Sequence, residues 1–240
     1  MNSNESCHKT SINWYPGHMV KAQNDIKSAI KLIDIVVEVL DARIPLASQN
    51  PIIDDLAQEK QRIVVLNKAD LADEEETKKW IKYFESQNKS CLAVDSSNPQ
   101  DIKRIVSEIT KKGEEAYKDK VEKAKLDYKP IYRVLIAGIP NVGKSTIINK
   151  IAKRNAANVS NKPGVTVRNQ WIRVDANIDL LDTPGLLWPR LDDNNAGEKL
   201  ALTGNIKQEI LDLEGVACVG IETLLNIDKY KSMFLEKYKI

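Results

Sequence analysis

The chain has 240 residues, 42% of them hydrophobic and 29% charged, which fits one large domain, or one with a small appendage, around a packed core. A net charge of +2 excludes a protein drawn to nucleic acid by its overall field, so any such contact must come from a local patch. The three cysteines, Cys7, Cys91 and Cys218, lie far apart and fit neither a metal site nor a disulfide framework, which points to a reducing, cytoplasmic setting.

Taken in chain order, residues 1–12 are polar, lack the apolar core of a signal peptide and read as a disordered arm. Residues 34–41 place a β-branched run between two acids and predict a strand. A second strand is expected at 62–66, ending in Asn67-Lys68-Ala69-Asp70. Residues 74–88 predict a helix with Trp80, Ile81 and Phe84 on one side. A short strand at 91–94 is followed by helical spacing of Ile102, Ile105, Val106 and Ile109 over 101–110. Residues 111–129 are charged and read as an exposed helix or helical linker. An apolar strand at 131–137 runs directly into a glycine-containing loop and a helix. Residues 170–174 and 178–181 read as a hairpin, and the pattern turns helical again beyond Asn194. Strands alternating with helices imply an α/β domain with a mostly parallel sheet. The expected division is 13–193 for that domain and 194–240 for a C-terminal helical region. No stretch approaches the length of a membrane span.

Residues 138–145 read Gly-Ile-Pro-Asn-Val-Gly-Lys-Ser, the pattern of a phosphate-binding loop between a strand and a helix. Gly138 and Gly143 let backbone amides turn toward phosphates, and the helix beginning near Thr146 adds a favourable dipole. Lys144 would pair with β- and γ-phosphates, and Ser145 would ligate magnesium. The strand-end motif Asn67-Lys68-Ala69-Asp70 supplies a base-recognition reading. There Asp70 accepts from guanine N1–H and the exocyclic amine, two donors adenine lacks, so the wrong base leaves a buried carboxylate unpaired. The Lys68 stem would lie on the base plane, and Asn67 would tie the base edge to the phosphate loop. A helix-capping Asp70 would give the same letters. Ser96 and Ser97 would offer backbone amides to guanine O6, although Asp95-Ser96-Ser97-Asn98-Pro99 also reads as an ordinary polar turn.

Asp182-Thr183-Pro184-Gly185 closes a strand. There Asp182 would hold the magnesium shell through water, and the Gly185 amide would sense the γ-phosphate. Thr166 is the candidate second magnesium hydroxyl, against a simple loop. Many GTPases orient the attacking water with a glutamine after that glycine. Leu186 stands there and cannot do so, which leaves intrinsic hydrolysis slow and another group to position the water. Of the two histidines, His8 lies in the polar arm, so His18 is the candidate, with a helix-capping role as its alternative.

Base recognition at 67–70 precedes the phosphate loop at 138–145, the reverse of the usual order. The sequence resembles the circularly permuted GTPases, most closely the YlqF/RbgA type, ribosome biogenesis GTPase A. The resemblance is carried by Trp14-Tyr15-Pro16-Gly17-His18-Met19, Asp41-Ala42-Arg43-Ile44-Pro45, the three nucleotide motifs and Trp188-Pro189. It implies a three-layer P-loop GTPase domain, circularly permuted, with a small C-terminal α-helical region. It implies GTP and GDP with Mg²⁺ as ligands, and late assembly of the large ribosomal subunit, with hydrolysis stimulated by the particle. Asn141 matches the position linked to potassium stimulation, Leu186 the hydrophobic replacement of glutamine, and His18 the family histidine. The family usually continues into a larger helical ribosome-binding domain. The expected partners are ribosomal RNA and proteins, with no membrane and a monomeric chain. The permuted order also requires strand 34–41 to lie beside strand 131–137, with 111–130 joining the old termini. A non-catalytic, nucleotide-regulated RNA-binding or scaffold module is the alternative that the missing glutamine leaves open. The excess of Lys and Arg over Asp and Glu in 103–133 would serve such a module, or be a solvated helix face.

The base-site reading predicts that Asp70→Asn weakens guanine nucleotide binding and favours xanthine nucleotides, because an amide donates to the carbonyl that xanthine carries. Competition between the two nucleotide types checks this, and an unchanged preference for guanine would contradict it.

Overall fold

The computed structural model describes residues 27–124, 130–152, 170–174, 177–182, 194–206 and 212–239. Six strands form one sheet: β1 (Ile35–Asp41), β2 (Gln61–Asn67), β3 (Ser90–Val94), β4 (Tyr132–Ala137), β5 (Gln170–Arg173) and β6 (Ile178–Asp182). Their spatial order is β3-β2-β1-β4-β6-β5. All neighbours run parallel except β5 and β6, which pair antiparallel as the expected hairpin. β1 is buried along its whole length, which is why its sequence, IVVEVLD, is nearly continuous in apolar residues rather than alternating.

The decisive pairing joins strands far apart in sequence. β4 pairs with β1 from Ile35↔Val134 to Glu38↔Ala137, and with β6 on its other side from Tyr132↔Ile178 to Ile136↔Asp182. β4 is therefore interior, beside the strand ending at Asp41, as the permuted order requires.

Helices cover both faces. Side chains alternate along a strand, so Val39 and Leu40 point to opposite sides. Leu40 joins Val64, Leu66 and Cys91 in a cluster closed by Phe84, with Trp80 and Ile81 packed against it. These aromatic and apolar residues come from α3 (Glu74–Ser86). Asp73 starts that helix by accepting from the amides of Glu75 (3.0 Å) and Glu76 (3.1 Å), and three glutamates in the first turn suit its dipole. Val39 belongs to the larger cluster with Ile102, Ile105 and Ile109 of α4 (Pro99–Ala124) and Ile147 and Ile148 of α5 (Lys144–Ile151). The result is three layers. Burial pushes the Cys91 thiol up to about 12, so it packs as an apolar residue.

α4 joins the expected helix over 101–110 to the charged segment after it, which is helical, as either of its readings allows. It runs unbroken to Ala124. Gly113 does not break it, because that position is pressed against the Tyr132 ring, where a Cβ would come within 2.6 Å. One turn on, the Tyr117 hydroxyl donates to Asp34 Oδ1 at 2.9 Å and fixes the charged half to the start of the sheet.

Two short helices, α1 (Pro45–Ser48) and α2 (Pro51–Leu56), follow β1. α2 helps bury a charged pair. Arg62 donates to Glu38 Oε2 and to Asp54 Oδ1, both at 2.8 Å, and the Asn50 amide donates to Glu38 Oε1 at 3.3 Å. The C-terminal region forms α6 (Asn194–Leu202), α7 (Leu213–Leu225) and α8 (Asp228–Tyr238). Leu200 and Ile206 sit in the same core cluster as the sheet. α7, by contrast, buries no residue, and Leu213, Ile221 and Leu224 are exposed. Among the described residues no helix is long and apolar enough to cross a membrane.

Arg62→Met leaves Glu38 buried without its cation and should cost about 3–5 kcal/mol of stability, the usual size for breaking a buried pair. Glu38→Gln in the same chain should recover most of it. Urea denaturation of the single and double variants measures both, and equal losses would contradict a paired role.

Candidate functional site

The ends of β1, β2, β4 and β6 converge, and the loops leaving them hold the sequence motifs. β4 ends at Ala137 and the chain turns at Gly138, whose φ of +145° is accessible to glycine but strained for other residues. A Cβ there would also meet the Val39 carbonyl. Ile139 and Val142 anchor the loop in the core, while Asn141 takes a left-handed φ of 59°. Gly143, at φ +103°, precedes α5, and a Cβ on it would collide with the Asn67 amide. Lys144 opens α5, and Ser145 and Thr146 follow in its first turn, half-buried.

Lys144 is almost fully buried, and its Nζ donates to the Ile139 carbonyl at 2.9 Å. Burial pulls its pKa down to about 8, against the opposing field of Asp182. Asp182, fully buried at the end of β6, has its Oδ1 reached by no hydrogen-bond donor among the described residues. A buried anionic oxygen so placed, acting on the charge of Lys144, fits a magnesium shell better than it fits a packed core.

The base motif meets this loop directly. Asn67 ends β2, and its Nδ2 donates to the Val142 carbonyl at 2.7 Å across 75 residues of sequence. Its Oδ1 accepts from the Ser96 amide at 3.1 Å. Asn67 therefore ties the phosphate loop to the 95–98 turn, as expected for the loop. The Lys150 Nζ adds a second tie from α5, donating to the Ser97 carbonyl at 2.8 Å. Lys68 is held at φ 60°, ψ 36°, and its Nζ donates to Asp41 Oδ2 at 2.9 Å, so its stem is fixed at both ends. Ala69, Asp70 and Leu71 form a short 3-10 turn.

Two features of the expected base site have defined surroundings in the fold. Asp70 is exposed within the 3-10 turn. The Ser96 and Ser97 amides are both engaged within the fold, the first with Asn67 and the second with Asp95 Oδ1 at 2.6 Å. Here the Ser96 amide holds the Asn67 side chain. His18, Thr166, Gly185 and Leu186 lie outside the described residues.

The structure adds groups to which sequence reasoning assigned no role. Asp41 is fully buried at the end of β1 and accepts from Arg43 Nε at 2.8 Å, from the Arg43 guanidinium again at 2.6 Å and from Lys68. Burial pushes this carboxyl up, but the Arg43 and Lys68 hydrogen bonds outweigh it and bring it down to about 2. Asn205 also donates to Asp41, and Asn141 Nδ2 donates to the Gly204 carbonyl at 2.8 Å. Asp41 and Arg43 were visible in the family motif. Nothing in the letters around Asn205 announced it.

Comparison with known proteins agrees with this geometry. Residues 133–234 match the model of a family described as 50S ribosome-binding GTPase. The chain is 47% identical over 215 residues to ribosome biogenesis GTPase A of Bacillus licheniformis, covering 89% of this chain and 75% of the relative. It is 35% identical over 221 residues to mouse (Mus musculus) mitochondrial ribosome-associated GTPase 1, covering 88% of this chain and 66% of the relative. Among solved structures, GNP-bound YlqF from T. maritima superposes with a TM-score of 0.60 at 32% identity, covering 90% of this chain and 81% of that one. With base motif and phosphate loop in reversed order yet joined in space, and with relatives of this identity and coverage, the chain belongs to the ribosome biogenesis GTPase A family of circularly permuted GTP hydrolases.

Proposed function

We propose that this GTPase acts in late assembly of the large ribosomal subunit and that the particle stimulates its hydrolysis. The observation that carries the nucleotide part is the Asn67–Val142 contact, which brings base motif and phosphate loop into one site. The ribosomal part is supported by the names of the relatives. The chain would act as a monomer in the cytoplasm, on ribosomal RNA and proteins.

In this reading guanine stacks along the Lys68 stem and its N1–H and amine donate to Asp70, covering that carboxylate. Ala69 packs beneath the turn, and Asn67 holds the loop at the right distance. The amides of Val142, Gly143 and Lys144, with the α5 N-terminus, receive the phosphates. The Lys144 ammonium exchanges the Ile139 carbonyl for phosphate oxygens. Mg²⁺ would be held by Ser145, Thr166 and, through water, Asp182, and would neutralise charge developing on the transferred phosphoryl group. Asn141 would help hold K⁺, the Gly185 amide would read the γ-phosphate, and His18 would orient the attacking water, which Leu186 cannot do.

The Lys144 position generates a pH dependence. Its pKa in the fold, about 8, lies below the unfolded value of 10.5, so between those values the folded chain binds fewer protons and this residue's contribution to stability rises with pH. An added phosphate favours the charged form and raises the pKa. GDP binding at pH 8.5 should therefore take up protons, and uptake should fade toward pH 7. Calorimetry in buffers of different ionisation enthalpy measures it, and buffer-independent enthalpies would contradict it.

Single-turnover hydrolysis with and without large ribosomal subunits tests the catalytic reading. The isolated chain should be slow, faster in K⁺ than in Na⁺, and strongly stimulated by subunits. His18→Ala should leave GTP affinity nearly unchanged and lower the stimulated rate roughly 10²-fold, the low end for a positioned proton-transfer group. A wild-type stimulated rate would return His18 to a structural role, and equal rates in both salts would remove the potassium role of Asn141.

A further inference from the structure

Between α6 and α7 the chain makes a turn, Thr203-Gly204-Asn205, in which all three residues bond to loops of the nucleotide site. The Thr203 carbonyl accepts from the Arg43 guanidinium at 3.0 Å. The Gly204 carbonyl accepts from Asn141 Nδ2 of the phosphate loop at 2.8 Å. Asn205 Nδ2 donates to Asp41 Oδ2 at 3.3 Å and to Thr203 Oγ1 at 2.7 Å. The same Asp41 oxygen receives the Lys68 ammonium, whose stem belongs to the base motif.

Asp41 is therefore a junction. Its Oδ1 takes the Arg43 amide at 3.1 Å and Arg43 Nε, while its Oδ2 takes the guanidinium again, Lys68 and Asn205. A carboxylate has about four lone-pair sites, so these donors saturate it and any shift of one is felt by the others. The turn is held but not locked. Asn205 is fully buried, yet its Oδ1 has no donor among the described residues, so its burial carries a free-energy cost that its Nδ2 bonds must offset. On the other side the turn is tied to the C-terminal helices. Leu200 and Ile206 flank it in the core, and Leu202 lies against Gly220 of α7, where a Cβ would come within 2.9 Å of its Cδ2.

We propose that Asp41 is a positioning residue that fixes Lys68 for the guanine base and, through Asn205 and Arg43, couples nucleotide binding to the placement of α6 and α7. It touches no nucleotide. It acts by setting where the Lys68 stem lies and by holding the 203–205 turn against the phosphate loop. By linkage, whatever grips the C-terminal helices changes guanine nucleotide affinity, and the nucleotide changes the grip by the same factor. This rests on residues 67–70 being the base site.

Two measurements on the full chain test it. In the unsubstituted protein, GDP should slow amide hydrogen exchange at 203–206 and in the first turns of α7. Asn205→Ala, which lies outside the nucleotide motifs, should weaken GDP binding roughly five- to tenfold, within the usual range of intersite coupling. In a double-mutant cycle with Lys68→Met the two losses should not add, because both act through Asp41. Purely local packing by Asn205 would leave GDP affinity within a factor of two and exchange at 203–206 indifferent to GDP, and that result overturns the proposal. Should Asn205→Ala fail to fold, the exchange experiment on the unsubstituted chain decides alone. Asp70→Asn separates the two levels. If the unsubstituted chain binds GDP and Asp70→Asn loses it while Asn205 has no effect, only the coupling fails. If the unsubstituted chain binds no GDP, the base-site reading fails with it.

Discussion

The insertion of β4 between β1 and β6 is the constraint on which the site depends. A phosphate loop leaves the end of its own strand, and a base motif leaves the end of another. They share a nucleotide only if those strands lie close and point the same way. Here the parallel pairing of β4 with β1, and of β1 with β2, brings both loops to one edge of the sheet. Asn67 then closes the gap with a single hydrogen bond to Val142. Chain order has no part in that geometry, so the permutation leaves the site intact and alters only the elements attached downstream of it. In this chain β5, β6 and the C-terminal helices come after the phosphate loop rather than before the base motif.

That ordering leaves the turn that ends α6 against the site. Asp41 at the end of β1, Arg43 just after it and Asn141 of the phosphate loop all hold the turn that ends α6. Interfaces of this kind switch between discrete packings rather than deforming continuously. α7, which packs through Gly220 against Leu202 of α6, leaves Leu213, Ile221 and Leu224 exposed.

Much of the fold was legible because the sheet is buried on both faces. Runs such as IVVEVLD and YRVLIA read as strands without knowledge of their neighbours, and Phe84 with Trp80 and Ile81 marked the buried side of α3. The extent of α4 was not legible. The charged segment after 110 reads as helical on its own, and the Tyr132 ring, brought from β4, explains a glycine inside one continuous helix. The site divides in the same way. Glycine-and-lysine spacing encodes the phosphate loop, because its backbone must take angles that few residues allow. Partner choice among polar groups is not encoded locally. Tertiary placement engages the Ser96 amide with Asn67 and brings Asp41 donors from 27 and 164 positions away.

The central claim is that the base motif and the phosphate loop form one guanine-selective site. Displacement of a fluorescent GDP analogue from the full chain by unlabelled nucleotides tests it most directly. The account predicts that GTP and GDP displace the analogue at similar low concentrations, while ATP needs on the order of 10⁴-fold more, the discrimination a polar site shows against a ligand lacking its donors. Displacement by ATP at the same concentration as GTP would contradict it.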